Sequence, residues 1–146
     1  MRSRVRLRVD RGSAVVEFIV IGVLVLVPIS YAVLSIMRVQ AAAFASTQAV
    51  REAGRAFVTA ESIPEANRLA QAAGRLAFAD QGFVLPAGAL TVRCLSGVCL
   101  APGSAVDVTA AWEVPLPWLP AALGAVAALP IHASHRLVVD TYRTAG

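Results

Sequence analysis

The sequence is short of the groups that most protein chemistry needs. It holds two cysteines and two histidines, and its 13 basic residues include no lysine. No phosphate-cradling glycine loop, zinc-protease helix, nucleophile elbow or close pair of carboxylates occurs in it. Ser134 beside His135, or Asp140 with His132, is assembled only by selecting residues, and strand alternation accounts for both. His132 and His135, three apart on a strand, fall on opposite faces, which argues against a zinc site. No catalytic residue, metal or cofactor is therefore expected, and the chain reads as a non-enzyme. The missing lysine carries no mechanism.

Net charge of one sign is also missing from most of the chain. The formal +4 lies wholly in residues 1–12, where Arg2, Arg4, Arg6, Arg8 and Arg11 stand against Asp10. Residues 13–146 are balanced, so the isoelectric point near 10.0 describes a short arm and does not signal nucleic-acid binding. Arginine at every second position before an apolar run is a positive-inside signal. It predicts a cytoplasmic amino terminus and places Arg38 and the residues beyond it across a membrane.

What the chain has in abundance is apolar surface. Hydrophobic residues make up 58% of it, and the mean hydropathy is +0.69, too high for an ordinary soluble domain. Much of the excess sits in residues 18–37. A helix over that run is roughly 30 Å long, the hydrocarbon thickness of a bilayer. Pro28 inside it cannot donate to the Leu24 carbonyl, which predicts a kink or a loosened turn.

Three kinds of segment have this outline. A signal peptide cut after Ala43-Phe44-Ala45 would release a protein beginning at Ser46, but the apolar run is long for that class. A plain single-pass anchor fits the length, and the head it carries would bind an envelope ligand without polymerising. Neither explains Glu17, because a charge in a membrane helix costs up to about 2.5 to 3.5 kcal/mol at the centre. The third arrangement is cleavage between Gly12 and Ser13, which makes Glu17 the fifth mature residue. The new Ser13 ammonium would then lie about 6 Å from Glu17 along the helix, or closer on a neighbouring chain. Without cleavage, Glu17 would pair with Arg11 and water.

A basic leader ending in Gly12, then Ser13-Ala14-Val15-Val16-Glu17-Phe18 and a hydrophobic helix, resembles the processing site of type IV pilin-like proteins. With the later run Ala49-Val50-Arg51-Glu52-Ala53-Gly54-Arg55-Ala56 the chain is similar to the TadE-like pseudopilins of tight-adherence (Flp-type) pilus systems. The likeness covers most of the chain and is strongest over residues 11–57. It implies a prepilin peptidase acting after Gly12 and a mature subunit extracted from the inner membrane into a pilus or related secretion apparatus. It further implies that Glu17 sets register against a neighbouring pilin subunit, and that the partners are the peptidase, other subunits, an inner-membrane assembly platform and membrane lipid.

The rest of the chain predicts a small head. Residues 38–60 continue the helix, with Val39, Ala43, Val50 and Phe57 as one apolar stripe. Ser62, Pro64 and Glu65 read as the start of a second helix over 64–80, with Ser62 and Glu65 at capping-box spacing. That helix would bury Leu69, Ala72, Ala73, Leu76 and Phe78 or Ala79, and Gly82 would stop it. Strands are expected near 90–95, 98–101, 105–114 and 131–142. In the third, Val106, Val108, Ala110 and Trp112 form a buried face. Between the last two strands, residues 121–129 would form a short apolar helix, and Trp118 and Leu119 would cap the core or meet membrane or a neighbour. If Ser96-Gly97 is a two-residue turn, Cys94 faces Cys99 across a hairpin at about 4.5 to 5.5 Å between alpha carbons, which suits a disulfide outside the cytoplasm. Two reduced thiols or half a metal site are the alternatives. The expected fold is thus α+β: a leader (1–12), a long amino-terminal helix (13–60) that is transmembrane and then amphipathic, and an extracytoplasmic head (61–146) of one further helix and an antiparallel sheet.

Overall fold

The computed structural model describes residues 13–95, 97–116 and 128–142. Two helices, α1 (Ser13–Thr59) and α2 (Ile63–Asp80), are followed by three strands, β1 (Leu90–Cys94), β2 (Ala105–Pro115) and β3 (Ala128–Val138). The chain is α+β. It divides into two compact units, with the division between Ile36 and Met37.

The first unit is the amino-terminal part of α1. Its Val, Ile, Leu and Phe side chains all point outward, and an 18-residue window of the helix reaches a mean hydropathy of 2.6 with none of it buried. A helix this long and apolar can cross a membrane. The helix continues through Pro28, where the Leu24 carbonyl has no N–H to accept from.

The second unit is a three-stranded antiparallel sheet, ordered β1-β2-β3, with helices on one face. β2 is central, and its residues alternate as expected: Val106, Val108, Ala110 and Val114 are buried and Trp112 half-buried. Two apolar clusters fill the space between helices and sheet. In one, Val50, Ala53 and Phe57 of α1 pack with Ala70 of α2, Leu90 and Val108; in the other, Ala42, Ala45 and Ala49 pack with Phe78, Phe83 and Val114.

Val50, Phe57 and Phe78 are buried as the helical spacing predicts, but the rest of each packed face is shifted from the expected one. On α1 the inward line runs through Ala42, Ala45, Ala49, Ala53 and Phe57, while Ala43 is exposed. On α2 it runs through Ala66, Ala70, Gly74, Ala77 and Phe78. Leu69 is only half-buried, Ala72 is exposed, and Leu76 is 64% exposed. The reason is close approach. A Cβ on Gly74 would lie 2.7 Å from Leu90 Cδ2, and one on Gly54 would strike Leu137, so large side chains from the sheet fill the space above small ones on the helices.

The helix ends are partly as expected. Ser62 is the N-cap of α2, in extended conformation, but its side chain makes no capping hydrogen bond. At the other end Gly82, at φ +73°, donates to Ala79 O at 2.9 Å, and Phe83 N donates to Phe78 O at 2.9 Å. This is a Schellman motif, which needs a residue able to adopt the left-handed region at Gly82.

Two strand expectations fail. Residues 98–101 form turns, and β1 pairs with β2 itself, Cys94 lying opposite Val106 and Leu95 N donating to Ala105 O. The Pro102-Gly103 turn, with Gly103 at φ +76° and the Ser104 hydroxyl donating to Cys99 O, holds residues 99–104 out of the ladder. The last strand begins at Ala128 and ends at Val138, so Ala128 and Leu129 are strand where a helix was expected. The rest of that expected helix, with Trp118 and Leu119, lies outside the described residues. Pro130 sits on the edge strand, at a position whose missing N–H faces away from β2.

Candidate functional site

Residues 13–37 contain a single charged side chain, Glu17. It lies just past the first turn of α1, exposed, between Val16 and Phe18, with apolar side chains on every later turn up to Met37. Helical rise sets its Cα about 6 Å along the axis from that of Ser13, the first helical residue. Gly12, the other half of the expected processing site, lies outside the described residues, so the junction itself has no described geometry. Further along, the Tyr31 and Ser35 hydroxyls, one turn apart, are shielded from solvent and have no hydrogen-bond partner among the described residues.

Cys94 and Cys99 form a disulfide with alpha carbons 5.1 Å apart. The spacing is the one expected, yet the hairpin assumed to produce it is absent. Cys94 ends β1 and Cys99 lies in the turn segment that follows, so the bond closes a loop beside the sheet instead of joining two paired strands. The two histidines fall on opposite faces of β3, as alternation required. His132 is exposed opposite Ala111, and His135 is half-buried opposite Val108. Among the described residues no group of three or more His, Cys, Asp or Glu side chains is placed to hold a metal. The Asp107–Arg136 pair, at 3.9 Å on the outer face of the sheet, joins a half-buried carboxylate to an exposed guanidinium and is worth little.

The structure also assembles a group of residues that the sequence pattern did not connect. Trp112 Nε1 donates to Ser46 Oγ at 2.8 Å, and that hydroxyl donates to Ala42 O at 2.9 Å. The indole packs against Phe78 at 5.0 Å and edge-on against Phe83 at 5.2 Å, between ring centroids. Arg38 also stands over Phe83, its guanidinium carbon 4.9 Å from the ring centroid. The one available clue was Ser46, a polar residue on an otherwise alanine-lined helix face. It implies a donor opposite but does not say which.

Comparison of the chain with protein-family models, with curated proteins and with solved structures finds no match in any of the three. What the chain does has to be read from its own residues.

Proposed function

We propose that the chain is a pilin-like structural subunit of a tight-adherence type pilus or a related secretion apparatus. A prepilin peptidase would mature it between Gly12 and Ser13, and it would assemble through its amino-terminal helix. The observation that carries this reading is the run of outward apolar side chains on α1, interrupted by one carboxylate at the fifth position from the Gly12-Ser13 junction. A helix that only anchors a head has no use for that acid. A helix that packs among copies of itself does, because a neighbour's Ser13 ammonium neutralises it and fixes the axial register. On this reading the cytoplasmic leader is removed, the head lies outside the cytoplasm, and the partners are the peptidase, an inner-membrane assembly platform, other subunits and lipid.

Intact-mass measurement on protein made together with a prepilin peptidase is expected to find Ser13 as the first residue. A Glu17→Ala variant should still be cleaved but fail to enter polymers. An uncleaved Met1 terminus in an active system overturns the reading. A Glu17→Ala variant that is better inserted and otherwise unchanged would instead support a single-pass anchor whose head binds an envelope ligand.

A further inference from the structure

We infer that the outer edge of β3, from His132 to Val138, is a docking site for an extended strand of a partner protein, one that turns apolar side chains toward the helices and sets a carboxylate beside Arg136. All the residues involved belong to the second unit, and none of them enters the proposed function. Backbone groups on a strand point alternately to its two sides. Val139 N donates to Ser104 O at 2.9 Å and Val139 O accepts from Gly103 N at 3.0 Å, so the odd-numbered residues of β3 bond β2 and the even-numbered ones face away. His132, Ser134, Arg136 and Val138 thus each present an N–H and a carbonyl to the open side, with no hydrogen-bond partner among the described residues. Pro130, which has no N–H to offer, ends that run. The opposite edge of the sheet differs. β1 has five residues, and on its outer side the Leu90 carbonyl accepts from Gln71 Nε2 of α2 at 3.1 Å. β3 has eleven residues and no such cover among the described residues. An unblocked edge of that length accepts a further strand.

Side chains on the two faces of the sheet define which strand fits. Toward the helices, Val106, Val108 and Ala110 of the central strand are fully buried, whereas Ile131, Ala133, His135 and Leu137 of β3 are half-buried. Apolar side chains on an added strand would cover the remaining area of Ile131, Ala133 and Leu137. On the outer face the register sets Arg93, Asp107 and Arg136 in one row, so charge alternates in sign from β1 to β3. A carboxylate in the next place continues that alternation, whereas a cation there would stand against Arg136. Arg136 has room for it, because its ion pair with Asp107 is 3.9 Å long and its side chain is 66% exposed. A second copy of β3 does not meet this requirement, since residues 128–138 contain no acid. The neighbouring row of Thr91, Thr109 and Ser134 is uncharged and is satisfied by a hydroxyl.

The probe is an acetylated, amidated peptide of sequence Thr-Val-Glu-Val-Thr-Val-Glu, added to the full isotope-labelled chain in zwitterionic micelles; in the control peptide lysine replaces glutamate. Amide exchange is read residue by residue by NMR. In the chain alone, the amides of Ser134 and Arg136 should exchange freely, while those of Ala133 and His135, bonded to β2, are protected. With the glutamate peptide at about ten times its Kd, exchange at His132, Ser134 and Arg136 should slow by about tenfold. The lysine peptide should bind about fivefold more weakly, and Arg136→Glu should reverse that preference. Ser134→Pro should abolish binding and leave the β2–β3 ladder protected, because the Ser134 N–H makes no bond within the sheet. Protection of the even-numbered amides in the chain alone overturns the proposal. If that protection is independent of protein concentration, the chain covers its own edge; if it rises with concentration, a second copy does. An edge left unprotected by the glutamate peptide at millimolar concentration overturns it too, as does equal binding of the two peptides or undiminished binding to Ser134→Pro.

Discussion

The two halves of α1 solve opposite problems with one secondary structure. Up to Ile36 the helix carries Val, Ile, Leu and Phe on every side and packs none of them; from Ala42 onward the fully buried residues are Ala, Ser and Gly with Val50 and Phe57, and Val58 packs half-buried beside them. In lipid a helix gains by covering its backbone with large apolar groups, because the medium itself is the partner. In water the gain comes from apolar area removed by a neighbouring element, and small residues allow two helices and a sheet to approach closely enough to exclude water. The size of an apolar residue therefore has opposite meanings in the two halves. Large and unpaired marks the lipid-ready part, and small and aligned marks the packed part.

Substitutions that act on one half and spare the other test this contrast. The largest effect is expected for Phe57→Ala, which empties a side chain shared by both helices and the sheet. It should lower head stability by about 3 to 5 kcal/mol in urea unfolding while leaving membrane insertion unchanged. Leu26→Arg should do the reverse, disfavouring insertion by about 2.5 to 3.5 kcal/mol in a glycosylation-mapped insertion assay with the unfolding midpoint of the head unaltered. A paired serine comparison is finer. Ser46→Ala leaves the Trp112 N–H without its acceptor and should destabilise the head by about 1 to 3 kcal/mol, whereas Ser35→Ala should not move that midpoint. If Ser35→Ala destabilised the head as much as Ser46→Ala, the division of labour along α1 would be wrong.

Much of the architecture was legible before folding was considered. Period-3.6 and period-2 patterns placed both helices and the central strand to within a residue or two, and Gly82 marked the end of α2 because only a residue tolerant of positive φ closes that turn. The disulfide was legible as well, though for the wrong local reason. Cys94 and Cys99 are near enough for any tight connection between them to suffice, and the chain chose turns over a hairpin. Less legible were the packed faces. Helical spacing selected Leu69, Ala72, Ala73, Leu76 and Phe78 of α2, and of these the head fully buries Phe78, while its close contacts use Ala70 and Gly74, because Leu90 of β1 supplies the bulk. That choice depends on which residue arrives from the other element, which spacing within one helix cannot reveal.

The apolar run, the lone Glu17 and the neutral balance after residue 12 are properties of composition and position, and no folding is needed to produce them. They determine that the amino-terminal helix is fit for a membrane, since hydrophobic length and charge placement act on a helix in lipid whatever else the chain does. Tertiary structure alone decided how the head holds together. It drew Ser46, Phe78, Phe83 and Trp112 from four segments into one cluster, set Arg38 over its edge, and left Val84 facing outward. Those contacts join residues up to 66 positions apart. Their energy comes from burial and pairing across elements, and periodicity along a single chain carries no record of it.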